Sequence, residues 1–236
     1  MMHDCQLSLK ETACMTSAAP ETGRVTRADR LTAGADLISP VNQLLDVGCG
    51  DGSLDLLLQG KVRRVMGVDS ALSACREARA KGFTVQCADL NACHLPYRDG
   101  VFDAVSCLDV IEHVLDPRHL LREVARVLRP EGILVLTTPN IRAYWHILTL
   151  IRGRFPRTSS DPEGYDGGHL HYFTFADVCH FLTEAGFDAI EEFGLYRWTS
   201  LTAWGRIKER IKALLGDHLK REFFSGGIVI RARRSA

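Results

Sequence analysis

From Gln43 onward the chain alternates short apolar runs with amphipathic stretches. The apolar runs Gln43–Val47, Val65–Val68, Thr84–Cys87, Phe102–Leu108 and Ile133–Thr137 predict five strands. Between them lie helical patterns: one from about Ser53, and Ala71–Lys81 closed by Gly82. A third, Pro117–Leu128, places Leu120, Leu121, Val124, Val127 and Leu128 on one face. Pro130-Glu131-Gly132 predicts a turn into the fifth strand. Short apolar strands separated by amphipathic helices imply parallel pairing, with helices on both faces of the sheet.

The pattern changes at both ends. Residues 1–27 show no periodicity and read as a poorly ordered tail, with a helix or turn near Ala28–Ser39. After Pro139, Ile141–Ile151 is helical and aromatic, and Arg152–Gly168 is a loop punctuated by glycine and proline. Phe175–Ala185 predicts a helix stopped by Gly186, and Ala189–Phe193 and Ile228–Arg233 predict two more strands. Trp198–Leu215 is a basic amphipathic stretch, with Trp204, Ile207, Ile211, Leu214 and Leu215 on one face. It reads as a lid or as a helix lying on a surface, a membrane included. The organisation is therefore one α/β domain over 28–236, carrying an insertion at 140–174 and a lid or surface helix at 198–216.

Composition narrows the classes. Lysine and arginine number 29, as do aspartate and glutamate, which argues against a nucleic-acid partner with its need for a basic face. The eight cysteines contain no C-x-x-C pair, so no zinc knuckle or thioredoxin motif is expected. With no apolar leader or spanning segment, the expected location is the cytoplasm.

The candidate chemistry begins at Asp46-Val47-Gly48-Cys49-Gly50-Asp51-Gly52-Ser53. A strand running through glycines into a helix brings a ligand against backbone amides. The glycines fall at 48, 50 and 52 with serine in the last place, which departs from the nicotinamide fingerprint, and no G-K-[ST] follows. An acidic Asp46 beside the turn suits a ligand with positive charges and repels a pyrophosphate. Asp69, nineteen residues after Gly50, can accept from both hydroxyls of a ribose. Asp89 can accept from an adenine amino group while Leu90 packs on the ring.

Together with Leu95-Pro96-Tyr97, Phe102-Asp103-Ala104-Val105 and Leu128-Arg129-Pro130-Glu131-Gly132, these motifs resemble the class I methyltransferases that use S-adenosylmethionine (SAM). The resemblance implies a Rossmann-like, doubly wound sheet of seven strands in the order 3-2-1-4-5-7-6, the last antiparallel, with helical lid insertions. It also implies SAM contacts at Asp46, Gly48, Gly50, Asp69, Asp89 and, at the end of the fourth strand, Leu108 or Asp109; the neighbouring Cys49, Gly52, Ser70 and Leu90 complete the candidate cofactor-binding residues. Leu108-Asp109-Val110-Ile111-Glu112-His113-Val114 is similar to a run in ubiquinone-biosynthesis O-methyltransferases, where such residues are associated with a divalent metal. Asp109, Glu112, His113 and His171 are the corresponding candidates here. The same side chains also serve as helix-start and cofactor-shell groups, and the reading without a metal is preferred. The segment from Pro139 to Phe155, with His169, resembles methyltransferase-like proteins of methionine biosynthesis.

The implied activity is methyl transfer to a small-molecule or lipidic acceptor, foremost a hydroxyl oxygen. The alternative is a non-catalytic SAM-binding partner of a biosynthetic enzyme. A hydroxyl acceptor needs a base, for which His171, His169 and His113 are the candidates.

Overall fold

The computed structural model describes residues 30–91, 94–159, 165–195 and 217–236. The elements run α1 (Arg30–Leu37), β1 (Val41–Val47), α2 (Ser53–Leu57), β2 (Val62–Asp69), α3 (Leu72–Ala80), β3 (Thr84–Cys87), β4 (Phe102–Leu108), α4 (Pro117–Val127) and β5 (Leu128–Pro139). There follow α5 (Tyr144–Ile151), a 3-10 turn (Asp166–Gly168), α6 (Phe175–Glu184), β6 (Phe187–Leu195), α7 (Asp217–Phe224) and β7 (Gly227–Arg234). The tail expected at 1–27 and the lid or surface helix expected at 198–216 lie outside the described residues.

One seven-stranded sheet has the order β3-β2-β1-β4-β5-β7-β6, as the resemblance implies. β1 to β5 pair in parallel, while β7 runs antiparallel to both β5 and β6. Successive residues serve opposite faces, as the pleat requires. Leu45, Val47, Val105, Cys107, Leu134 and Leu136 pack with α4 and α6 residues in the larger core. Their neighbours Leu44, Ala104, Leu108 and Val135 pack with Ala35 of α1 and with Leu54 beneath α1 and α2. Every residue of β4 is buried, because β4 is central and covered on both sides.

Local chemistry sets the helix starts. Pro117 occupies the first turn of α4, where its missing N–H costs nothing, and Asp116 accepts the His119 amide at 3.0 Å. α6 begins with a capping box, Thr174 and Asp177 each accepting the other's amide. β5 starts earlier than the motif predicts. Leu128 already pairs with Phe102, and Glu131, at φ 63°, sits within a register irregularity instead of in a turn before the strand.

The carboxyl ends of β1, β2 and β4 meet on one edge of the sheet, at the break in strand order between β1 and β4. That topological switch point is where open α/β sheets receive ligands. Among the described residues no helix is long and apolar enough to cross a membrane.

Candidate active site

The turn after β1 stays on the sheet because Gly48 and Cys49 both donate to the Val68 carbonyl, at 2.8 and 3.2 Å. Gly48, Gly50 and Gly52 all have positive φ, which only glycine adopts without strain. Two of them also lack room for a side chain. A methyl on Gly48 would collide with Val110, and one on Gly52 with Phe83. Gly50 differs: no described atom lies within 4 Å of where its Cβ would stand. The first and third glycines fold the turn, and the second leaves an open cradle beside the backbone.

Asp69, at the end of β2, closes this cradle. Its two oxygens accept the Gly50 and Ala71 amides, each at 2.8 Å, so the carboxylate is half-buried and held rigid. Each oxygen keeps a lone pair for a further donor. Cys49 is buried against Gly67, where an added methyl would lie 2.6 Å from its sulfur. Burial and the charges of Asp46 and Asp69 push its thiol up, so it packs as an apolar group. Ser70 is exposed after β2. Asp89 is exposed after β3 and accepts the Asn91 amide at 2.9 Å, with Leu90 half-buried beside it. Leu108 is buried against Gly34 of α1.

Asp46, at the end of β1, lies beneath the glycine turn. It is 3% exposed, and its Oδ1 accepts from Ser106 Oγ at 2.8 Å. Burial and the nearby Asp55 raise its carboxyl to about 8, although the Ser106 bond opposes the shift. Its affinity for a proton is thus raised toward neutrality by burial and by Asp55. Asp55, in α2, is also buried, has one oxygen without a hydrogen bond, and is raised to about 6.

At the end of β4 the chain turns through Asp109, at φ 53°. One Asp109 oxygen accepts from Thr137 Oγ1 at 2.6 Å and the other pairs with Arg30 of α1 at 2.7 Å. Glu112 follows, 1% exposed, with one oxygen accepting from Thr138 Oγ1 at 2.9 Å and the other without a partner. Burial and Asp109 push its carboxyl up to about 8. The Glu112 carbonyl accepts the amides of Leu170 and His171, which clips the insertion onto this turn.

Of the three candidate histidines, the structure brings two together. His113 and His169 meet edge to face, ring centroids 4.7 Å apart. With Glu112 they offer ligand atoms within 4.8 Å of one another. One carboxyl and two imidazoles are a donor set that could hold a borderline cation such as zinc. His171 and Asp109, also named from the sequence for a metal, stand elsewhere. His171 Nε2 bonds the Val114 carbonyl at 2.9 Å and its ring stacks on Phe173, while Asp109 is taken by Arg30 and Thr137. Burial and the charge of His113 lower the His169 imidazole below its ordinary value, which keeps it neutral.

Sequence reasoning missed the groups that support these residues. Thr158 and Asp166 hold His169, Ser106 bonds Asp46, Thr137 and Thr138 bond Asp109 and Glu112, and Arg30 reaches from α1. Lone hydroxyls in strands and loops carry no spacing signal. Only the glycine- and proline-rich character of 152–168 marks a loop able to fold back.

Comparison with known proteins agrees with the geometry. Residues 45–136 match the model of a methyltransferase domain. A probable S-adenosylmethionine-dependent methyltransferase of Mycolicibacterium smegmatis is 30% identical over 158 residues, 67% of this chain and 56% of that protein. This chain thus spans little more than half the length of that relative. The ubiquinone biosynthesis O-methyltransferase of Thiobacillus denitrificans is 28% identical over 65% of this chain and 67% of that one. A Thermotoga maritima structure described as a SAM-dependent methyltransferase, possible histamine N-methyltransferase, superposes with a TM-score of 0.63. It covers 87% of this chain and 88% of its own at 17% identity, a likeness of fold.

Proposed function

We propose that this chain, which carries a class I SAM-dependent methyltransferase domain with S-adenosylmethionine as its cofactor, methylates a hydroxyl oxygen of a small-molecule acceptor. The residues present fit that cofactor. Gly50 leaves backbone open where a ligand approaches, and Asp69 has lone pairs for a ribose diol. Asp89 keeps an oxygen for the adenine amino group, with Leu90 and Leu108 as apolar walls. When bound, SAM supplies an activated methyl group on a sulfonium. Asp46, with its proton held near neutrality, gains a reason to ionise when positive charge stands beside it.

The protein's remaining work is to align the acceptor, exclude water and take its proton. The observation that carries the hydroxyl reading is the pairing of neutral His169 with His113 beside the buried Glu112. An amine acceptor can lose its proton to solvent after transfer, whereas a phenol or alcohol benefits from a base in place. Apolar side chains exposed along the insertion, Leu148, Ile151 and Phe155 among them, support an acceptor with an apolar body, a lipidic one included. A divalent cation is not required for this chemistry.

Titration calorimetry with SAM, followed by a mass-detected screen of catechols, phenols and quinols, tests the proposal. SAM binding with transfer to a hydroxylated acceptor is the expected result. Binding without transfer to any hydroxyl, amine or carbon acceptor would favour the alternative, a non-catalytic SAM-binding partner.

A further inference from the structure

Thr158, Ser159, Asp166 and His169 of the insertion are bonded to one another. Asp166 is completely buried at φ 54°, and its Oδ1 accepts the amides of Thr158 and Ser159 at 2.7 and 2.8 Å. Its Oδ2 accepts from Thr158 Oγ1 at 2.7 Å. The same Thr158 oxygen lies 2.7 Å from His169 Nδ1. His169 Nδ1 is itself 3.6 Å from Asp166, so the threonine hydroxyl is the shorter route between them.

A hydroxyl has one proton to give. Two backbone amides and the Thr158 hydroxyl all donate to the Asp166 oxygens, the donor set of a carboxylate and not of a carboxylic acid, so it is ionised. An ionised Asp166 can only accept, so Thr158 donates to it. Thr158 then has no proton left for His169, and His169 Nδ1 must be the donor. The neutral ring therefore carries its hydrogen on Nδ1 and presents a lone pair on Nε2.

We propose that Asp166 and Thr158 are positioning residues that lock His169 as the Nδ1–H tautomer, making Nε2 the atom that takes the acceptor's hydroxyl proton. The use of that lone pair rests on the hydroxyl reading above; the tautomer does not. A histidine side chain free in water favours the Nε2–H tautomer, so the bond at Nδ1 works against the intrinsic preference. In the transfer step the acceptor oxygen forms its bond to the methyl carbon as the carbon–sulfur bond breaks. The O–H electron pair stays on oxygen and the proton goes to Nε2. The resulting imidazolium keeps its Nδ1–H bond to Thr158, next to the Asp166 anion that offsets its charge.

Long-range proton–nitrogen correlation spectra of the 15N-labelled full chain test the tautomer without any acceptor. The expected signature is Nδ1 protonated and Nε2 unprotonated for His169, assigned by its loss in His169→Gln. Thr158→Val is expected to shift the ring toward the Nε2–H form, and Thr158→Ser to restore Nδ1–H. Asp166→Asn, a second route to the same change, guards against local misfolding in the valine variant. With catechol as the probe acceptor, Thr158→Val should lower kcat on the order of tenfold to a hundredfold, with SAM affinity unchanged and recovery in Thr158→Ser. A wild-type ring found as Nε2–H overturns the proposal whatever the acceptor proves to be. So does a kcat loss in Thr158→Val that leaves the tautomer unchanged. An Nδ1–H ring with no transfer to any hydroxyl instead upholds the lock and overturns the hydroxyl reading.

Discussion

Glu123 and Asp46 are both carboxyls buried beside the sheet, yet they are treated in opposite ways. Glu123, on α4, receives the Leu95 amide at 2.8 Å, Arg126 at 2.7 Å and His94 at 3.1 Å. These donors overcome its burial and hold it down to about 2, so it is a permanent anion pinning the loop after β3 to α4. Asp46 receives one hydroxyl bond and faces Asp55, and it is raised to about 8. Glu112, near the insertion, repeats the under-provided case, with one oxygen unbonded. The difference is one of supply: the fold surrounds Glu123, and likewise Asp166, with several donors, whereas Asp46 and Glu112 are each left with one side-chain hydroxyl bond.

The comparison breaks most forcefully at Glu123. Glu123→Ala strands the Arg126 guanidinium and the Leu95 amide, and should lower unfolding free energy by about 3–5 kcal/mol. Denaturant melts check this, and a loss below ~1 kcal/mol would mean that water replaces the carboxylate without cost. Next in size is Asp69→Ala, expected to weaken SAM binding about ten- to a hundredfold by calorimetry. Unchanged affinity would remove the ribose role.

The two kinds of carboxyl should also separate by pH. Glu123 lies below its ordinary 4.5, so its contribution is present above that value and lost as pH falls toward about 2. Asp46 lies above its ordinary 3.8, so its protonated form favours folding at low pH, an advantage lost as pH rises through about 8. The ligand-free protein should therefore melt higher near pH ~5.5 than near pH ~8.5. Asp46→Asn, which keeps the shape without the titration, should reduce that alkaline loss, and an identical profile would show that Asp46 does not titrate in this range. The smallest effects belong to surface and single-bond changes. Ser106→Ala should cost ~1 kcal/mol and raise the Asp46 carboxyl further. Arg30→Ala, which breaks an exposed ion pair, should change stability by about 0.2–1 kcal/mol.

Periodicity made most of the fold legible. Thr84–Cys87, set between Gly82 and Asp89, and Phe102–Leu108, a run buried throughout, are read at their true bounds. Strand order and the antiparallel seventh strand came through the resemblance, since no local pattern encodes which strand lies beside which. α7 escaped because Asp217–Phe224 mixes charges and aromatics and is tied to the fold by distant bonds, Asn140 Nδ2 to the Glu222 and Ser225 carbonyls. In the site, glycines and carboxylates at fixed spacings were readable. Which of His169 and His171 stands beside His113 was not. They are two residues apart in an irregular segment, and only the partners Thr158 and Val114 show which ring is held in the cluster.

The placement of β7 has a consequence for the order in which the chain can assemble. β6 pairs with β7 alone among the described strands, so it cannot join the sheet by itself. The parallel half, β1 to β5, can form from neighbours already made, and it carries the glycine turn and Asp69. β6 must wait for a strand that follows it in the chain to wedge in beside β5, over the register Ile133↔Arg233 to Pro139↔Gly227. Nascent chains would thus acquire the glycine-rich half early and the far edge last. A lesion in Gly227–Arg234 would undo strands synthesised before it, while the first half could persist as a separate cooperative unit.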